Sequence, residues 1–181
     1  DGTEMTLKTV LPLYEVSKTG PWTWHGWQDD LENAMHKSMT STMLGRNPSD
    51  RDVRALLAYL DTLEAPPNPF RKSDGTLSDA ADRGEQVFTS EKAGCADCHN
   101  GTHFTDGKIH DVGLGSDKDY YDGYNTPSLL GVYRKVRLLH TGRARSLDRV
   151  VSDLHSPEKV SGEGQLTEQE TQDLIEYLKS L

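Results

Sequence analysis

The feature that most constrains this chain is the segment Cys95-Ala96-Asp97-Cys98-His99, which contains the only two cysteines among 181 residues. A single pair of cysteines excludes a disulfide-stapled scaffold and a four-thiolate zinc or iron–sulfur site built within this chain. The pattern C-x-x-C-H is the attachment signature of a c-type haem. Two thiols at this spacing reach the two vinyl groups on one porphyrin edge, and the next histidine is directed at the iron. The segment therefore predicts one covalent haem c, bound by Cys95, Cys98 and His99.

Three other interpretations of the cysteine pair compete with haem attachment. A redox dithiol needs only the C-x-x-C spacing and is typical of a βαβ unit, but no such pattern surrounds these cysteines. Half a zinc site needs a second ligand pair at finger-like spacing, and the remaining histidines show none. The third interpretation is a coincidental pair of buried cysteines. Only haem attachment uses the histidine that follows directly, so we expect haem c.

Hydrophobic periodicity predicts an all-α fold. Apolar residues recur at helical spacing from Leu31, from Val53 and from Ala81, and no period-2 alternation is sustained. Ser49 and Thr167 are each followed three residues later by an acidic residue, the pattern of a helix N-cap. Between Asn100 and Tyr124, glycines, aspartates and tyrosines indicate a long ordered loop.

A proline-rich stretch divides the chain. Pro66-Pro67-Asn68-Pro69 and the turn Ser73-Asp74-Gly75 predict a stiff connection. We expect a helical region at 1–64, a linker at 65–76 and a compact haem-binding domain at 77–181. The two regions also share a weak repeat. It consists of His25-Gly26 followed by Leu31 and matched by His140-Thr141-Gly142 followed by Leu147, with a shared Tyr-Leu-x-x-Leu ending at Leu63 and Leu181.

The ligand on the opposite face of the iron sets the chemistry. A thioether raises the reduction potential, a second imidazole leaves it lower, and an open position admits small molecules. We favour His155, which ends a short helix begun by Ser146 and lies far enough from His99 for the chain to fold back. No methionine follows Met43, and methionines at helical spacing are typical of core packing. The alternatives are Met35, Met39, Met43, His140, His103 and His110.

Short segments in a fixed order, the haem motif among them, carry a family resemblance. They are Gly84 to Phe88, Cys95 to Asp106, His110 to Gly113, Thr126 to Leu129, Leu139 to Ala144, Ser146-Leu147 and the helix from Leu166 to Leu181. Each is weak alone, but the order and spacing together are specific. The chain thus resembles the bacterial di-haem cytochrome c peroxidases and their haem-enzyme relatives. The resemblance implies tandem cytochrome c domains, one with a peroxidatic haem and one, which holds the motif here, with an electron-transferring haem.

The chain departs from that family in its axial ligands. The electron-transferring haem of the family takes a methionine near the position of Leu154, where this chain offers His155 one residue later. Met39 and His155 each lie thirteen residues after a repeat glycine. Met39 is therefore expected at the axial position of a first haem that is lost, removed or carried on a missing segment. The motif for that haem would lie before Asp1. Residues 1–64 are then the helical remnant of a companion cytochrome c domain without a haem motif of its own.

Other side chains have weaker functional interpretations. Trp24 best matches a tryptophan that lies between the two haems in the resembling family, although packing of Trp22, Trp24 and Trp27 at a domain interface is the expectation we favour. Arg143 and Arg145 are candidates for neutralising haem propionates. The acidic loop from Asp117 to Asp122 has no EF-hand spacing, so we do not expect a calcium site there.

The predicted function is one-electron transfer through a single haem c, within a larger redox protein or with a redox protein partner. The alternative is a di-haem cytochrome c peroxidase-type enzyme that reduces hydrogen peroxide. A third hypothesis, a sensor of diatomic ligands, rests only on the haem.

Composition excludes two classes of partner. The net charge of −9 without a Lys/Arg block argues against nucleic acid, and the mean hydropathy of −0.71 argues against a membrane span. Haem c is attached outside the cytoplasm of bacteria, which predicts a periplasmic or extracellular protein. A chain that begins at Asp1, with neither Met nor leader, is expected to be processed or truncated.

Overall fold

The computed structural model of the chain describes residues 7–162 and 164–181 and is mostly helical. The only strands within these residues are an antiparallel pair of two residues each, so the fold is helical with little strand. No helix in this part of the chain is both long and apolar enough to cross a membrane. The α-helices and strands, in chain order, are α1 (Leu31–Lys37), α2 (Asp50–Leu60), α3 (Asp79–Phe88), α4 (Cys95–Cys98), β1 (Ile109–His110), β2 (Tyr124–Asn125), α5 (Leu147–Arg149), α6 (Pro157–Ser161) and α7 (Glu168–Lys179).

The two predicted N-caps are confirmed. The Ser49 side chain accepts a hydrogen bond from the backbone amide of Asp52. Thr167 and Glu170 form a reciprocal capping box at the start of α7. The helices that begin at Leu31 and Leu147 are shorter than expected, because each passes into a π-helical turn. These turns are Ser38–Thr42 and Val150–Leu154.

The main core lies where α3 crosses α7. A Cβ atom at Gly84 would lie 1.9 Å from the carbonyl oxygen of Asp173, so only glycine permits this approach of the two helices. The rings of Phe88 and Tyr177 pack with centroids 5.2 Å apart. Arg83 donates two hydrogen bonds to the carboxylate of Asp173 at the same crossing. The buried apolar members of this core are Phe88, Val132, Leu138, Ala144, Val151, Leu174, Ile175, Tyr177, Leu178 and Leu181.

The predicted linker 65–76 is fastened to the end of α7. The Asn68 side-chain amide donates to the carbonyl oxygens of Lys179 and Leu181. The Arg71 guanidinium donates to the carbonyl of Ser180 at 2.9 Å. These bonds satisfy carbonyls that the end of a helix leaves without partners. The segment is therefore an ordered part of the fold.

The sequence repeat has a matching backbone. We call residues 9–63 the first copy and residues 125–181 the second copy. In each, a residue with left-handed backbone precedes a short 3-10 turn and donates its amide, at 3.1 Å, to the carbonyl of the last residue of that copy. These pairs are Glu15 and Leu63 in the first copy and Gly131 and Leu181 in the second.

A second turn is also repeated, and it joins the copies to each other. The Thr9 amide donates to the carbonyl of His140 at 2.7 Å, while the Asn125 amide donates to the carbonyl of Trp24 at 2.8 Å. The two bonds are equivalent, since each copy donates to the repeated turn of the other. The turns are closed by the residue pairs Trp22 and Gln28 in the first copy and Leu138 and Ala144 in the second.

Candidate haem site

A single helical turn presents the two cysteines. α4 spans Cys95–Cys98 and follows Gly94, whose φ of 63° is left-handed and suits glycine. The His99 amide donates to the Cys95 carbonyl at 2.9 Å and closes the turn. Residues three apart lie on the same face of a helix. Cys95 and Cys98 thus share one face, with His99 directly after them.

The thiols differ from those of a redox dithiol. Burial raises the pKa of Cys95 to about 11 and also raises the pKa of Cys98. Redox-active cysteines have lowered pKa values, because the thiolate is their reactive form. The pair is therefore held as neutral thiols, which argues against the dithiol interpretation.

The His99 ring is held in one tautomer. Its Nδ1–H donates to the carbonyl oxygen of Phe104 at 3.1 Å, which leaves the Nε2 lone pair free to bind a metal. Phe104 has a left-handed φ of 52° at the end of this turn. Burial lowers the pKa of His99 to about 4, so the imidazole is neutral at pH 7.

His155 faces His99. The two ring centroids are 6.5 Å apart and the rings are perpendicular, at 89°. His155 directly follows the π-helical turn Val150–Leu154, and its amide donates to the Val150 carbonyl at 2.8 Å. Such turns occur frequently at functional sites. The buried Nδ1 of His155 has no hydrogen-bond partner among the described residues, and burial lowers the pKa of the ring.

The ring centroids of His99 and His155, 6.5 Å apart, leave room for one metal ion between the rings, since metal–imidazole bonds are about 2.0–2.1 Å long. The donor set of two neutral imidazoles and two neutral thiols therefore fits a haem c.

A mostly apolar cavity surrounds the pair. The cavity volume is about 180 Å³, whereas one water molecule needs about 10–15 Å³. The space is thus suited to a large ligand. Its walls come from α3, α4, the loop around β2, the repeated turns and α7, and they include Thr9, Trp24, Phe88, Cys95, Cys98, His99, His110, Tyr124, Leu129, Lys135, Arg137, His140, Val151, His155 and Leu174.

The methionine candidates lie elsewhere. Among the described residues, Met35, Met39 and Met43 are absent from the cavity wall, and the Met43 side chain is 65% exposed. His103 is also outside the wall, with its Nε2 3.7 Å from a carboxylate oxygen of Glu15. The structure therefore brings His155 to His99 and separates the methionines from both.

His140 lines the cavity but packs against two other aromatic rings. It stacks on Tyr124 with centroids 4.1 Å apart and meets Trp24 edge-on at 6.1 Å. Burial lowers the pKa of His140 to about 4. The Trp24 indole also donates to the Thr9 carbonyl, within the first copy.

Sequence reasoning gave His110 only a minor place, and the structure pairs it with Asp106. Its Nε2 lies 2.8 Å from a carboxylate oxygen of Asp106, close to Cys98. The three residues are near enough to bind a metal together, but the imidazole and carboxylate already bind each other. In the sequence, the pattern that could have predicted this pairing is a histidine four residues after an aspartate.

The cations also differ from those expected. Arg143 and Arg145 do not line the cavity in the described part of the chain, whereas Lys135 and Arg137 do. No sequence motif singles out these two residues. In the acidic loop, Asp119 pairs with Lys8 at 2.6 Å.

Comparison with known proteins identifies relatives. The chain is 30% identical to hydrazine synthase subunit gamma of Kuenenia stuttgartiensis, over 86% of this chain and 58% of the relative. It is 31% identical to the methylamine utilization protein MauG of Methylophilus methylotrophus, over 72% and 46%. A cytochrome-c peroxidase of Pseudomonas sp. is 32% identical over 58% and 24%. The chain thus spans about a quarter to three fifths of these relatives. No protein-family model matches.

Solved structures share the fold. Hydrazine synthase of Kuenenia stuttgartiensis superposes with a TM-score of 0.82 at 24% identity, over 99% of this chain and 78% of that one. A MauG-like protein associated with microbial copper homeostasis gives a TM-score of 0.75 at 17% identity, over 100% and 77%. With the sequence relatives and the motif order, these findings place the chain in the di-haem cytochrome c peroxidase-like family.

Proposed function

We propose that this chain transfers single electrons through one haem c attached to Cys95 and Cys98, as part of a larger redox protein. The observation that carries the proposal is the facing pair His99 and His155, with ring centroids 6.5 Å apart. Two imidazoles would occupy both axial positions of the iron. With both positions filled by these side chains, the group would supply electron transfer and no site for a substrate.

The residues of the site favour this role in three ways. When bound, haem c supplies an iron that alternates between the ferric and ferrous states. The Phe104 carbonyl holds Nδ1–H of His99, so its Nε2 keeps the ligand lone pair. Burial keeps His99 and His155 neutral. The apolar wall excludes water, so little solvent has to reorganise when the charge of the site changes.

The test uses the chain exported from a host that attaches haem c. A pyridine haemochrome assay is expected to give one covalent haem per chain, and a Cys95→Ser, Cys98→Ser double variant to give none. Carbon monoxide added to the reduced protein is expected to leave the low-spin visible spectrum unchanged. Rapid carbon monoxide binding would contradict the electron-transfer proposal, and a near-infrared sulfur-to-iron band in the oxidised protein would contradict His155 as ligand.

The alternative function is a peroxidase-type enzyme that reduces hydrogen peroxide. The relative named cytochrome-c peroxidase supports it. It requires either that His155 leaves the iron or that another part of a longer protein holds a peroxidatic haem. Peroxide-dependent oxidation of a reduced cytochrome by the haem-loaded chain, together with carbon monoxide binding, would favour this alternative.

For the domain organisation we propose a partial companion cytochrome c domain at 1–64, a linker at 65–76 and a cytochrome c domain at 77–181. The matched turns of the two copies support a common origin. Met39 stands in the first copy where His155 stands in the second. The coding sequence upstream of Asp1 provides the test: a second C-x-x-C-H there would support a first haem, and its absence would mean that the first domain has no haem of its own.

The proposed location is periplasmic or extracellular, because haem c attachment takes place outside the bacterial cytoplasm. With a net charge of −9, the chain is expected to bind a redox partner with a basic or neutral surface. Electron exchange with a basic small cytochrome should therefore slow as salt is raised. A rate independent of ionic strength would contradict this partner chemistry.

A further inference from the structure

Lys135 is a partly buried cation for which the described residues provide no anionic partner. It follows the 3-10 turn Val132–Arg134 and lines the haem cavity. No carboxylate in residues 7–162 and 164–181 forms an ion pair with it. Burial lowers its pKa to about 8. A buried ammonium group is costly unless a counter-charge is present.

Resting on the proposed function, we infer that Lys135 binds a propionate of the haem c and holds a positive charge beside the cofactor. The haem brings the missing carboxylate with it. Because Cys95 and Cys98 would hold the vinyl edge, the propionates would be on the opposite edge of the porphyrin. The ammonium and the carboxylate then neutralise each other out of bulk water, where charge-assisted hydrogen bonds are strong.

The other cations near the site are less suited to this role. Arg137 lines the cavity but is exposed, and its stem packs on the turn at Gly142. Arg143 and Arg145 are exposed and lie outside the cavity wall. Lys8 already pairs with Asp119. Among these five cations, Lys135 alone combines partial burial, a place in the wall and an ammonium group that forms no ion pair within the described residues.

Lys135 would neutralise the charge of the propionate and so raise the reduction potential of the haem. Removing the cation would leave a negative charge that stabilises ferric iron, which lowers the reduction potential. The experiment compares Lys135→Met, Lys135→Arg, Arg137→Met and Arg145→Met in the haem-loaded chain by potentiometric titration at pH 7. For Lys135→Met we expect the ratio of oxidised to reduced protein, measured at the wild-type midpoint, to rise about ten-fold. That corresponds to about 59 mV for one electron.

The matched variants separate charge from packing. Lys135→Arg keeps the charge and is expected to stay within about two-fold of wild type, as is Arg145→Met, while Arg137→Met changes the ratio less than Lys135→Met because solvent screens an exposed charge. If Lys135→Met does not fold, Lys135→Gln carries the same prediction.

An unchanged potential in the Lys135 variants would overturn the inference. A lower reduction potential in Arg145→Met alone would overturn the inference and favour Arg145 as the residue that binds the propionate. Absence of covalent haem from the wild-type chain would contradict the proposed function instead.

Discussion

The two copies share their turns but differ in what covers them. Tyr177 of the second copy is 4% exposed and packs on Phe88, whereas Tyr59, in the matching Tyr-Leu-x-x-Leu segment of the first copy, is 61% exposed. α3 covers α7, and no helix in the described residues covers that face of α2. The same supersecondary unit thus forms a closed site only where residues 77–124 supply α3 and α4.

The matched residues His155 and Met39 differ in the same way. His155 lines the cavity opposite His99, while Met39 lies outside the cavity wall. The position in the repeat is shared, but within the described residues only His155 faces a second histidine of the cavity. A repeat position therefore becomes a site only when a second element faces it.

The largest expected effect is on His155, the proposed second ligand of the haem iron. His155→Ala should open one coordination position, so that the reduced haem binds carbon monoxide and loses its low-spin spectrum. His155→Met should instead give a near-infrared sulfur-to-iron band. Met39→Ala is the matched change in the first copy and should leave both spectra unchanged. An effect of Met39→Ala would mean that the first copy contributes to this haem.

The next effect compares the two tyrosines. Tyr177→Ala should lower the free energy of unfolding by about 3–5 kcal/mol, because it removes a buried ring from the main core. Tyr59→Ala should change it by no more than about 0.5 kcal/mol, as expected at an exposed site. Urea unfolding of the haem-loaded chain followed by circular dichroism measures both. Equal losses would show that the first copy is covered in solution.

A smaller effect tests the helix crossing that the first copy lacks. Gly84→Ala should destabilise the chain by about 1–3 kcal/mol, because the added methyl group meets the Asp173 carbonyl and α3 has to move away from α7. Gln86→Ala on the exposed face of α3 is the control. If the two variants unfold at the same urea concentration, the close crossing contributes nothing to stability.

The smallest effect is the pH dependence that Glu170, in the second copy, contributes to stability. A hydrogen bond from Lys92, together with bonds from Thr167, lowers the pKa of Glu170 from 4.5 to about 2. The stabilisation is thus complete above about pH 4.5 and is lost as the pH falls toward 2. Glu170→Gln should flatten the acid limb of the stability profile. Glu168→Gln, in the same helical turn, should not change that limb.

Much of this structure could be predicted from local sequence patterns. The haem motif, the N-caps at Ser49 and Thr167 and the repeat around Gly26 and Gly142 were all readable from neighbouring residues, because capping, turn geometry and haem attachment depend on short spacings. The lengths of α1 and α5 were not, since π-helical turns depend on tertiary packing. His155 was proposed from its spacing alone, but its approach to His99 required the folded chain.

The cations that line the cavity could not be predicted from the sequence. Arg143 and Arg145 are near His140 along the chain, yet Lys135 and Arg137 line the cavity. Whether a lysine is buried and unpaired depends on residues far away in sequence, and no local pattern records their positions. Short-range chemistry therefore predicted the cofactor and the repeat, while burial and the meeting of distant segments decided which of the candidate side chains lie together in the cavity.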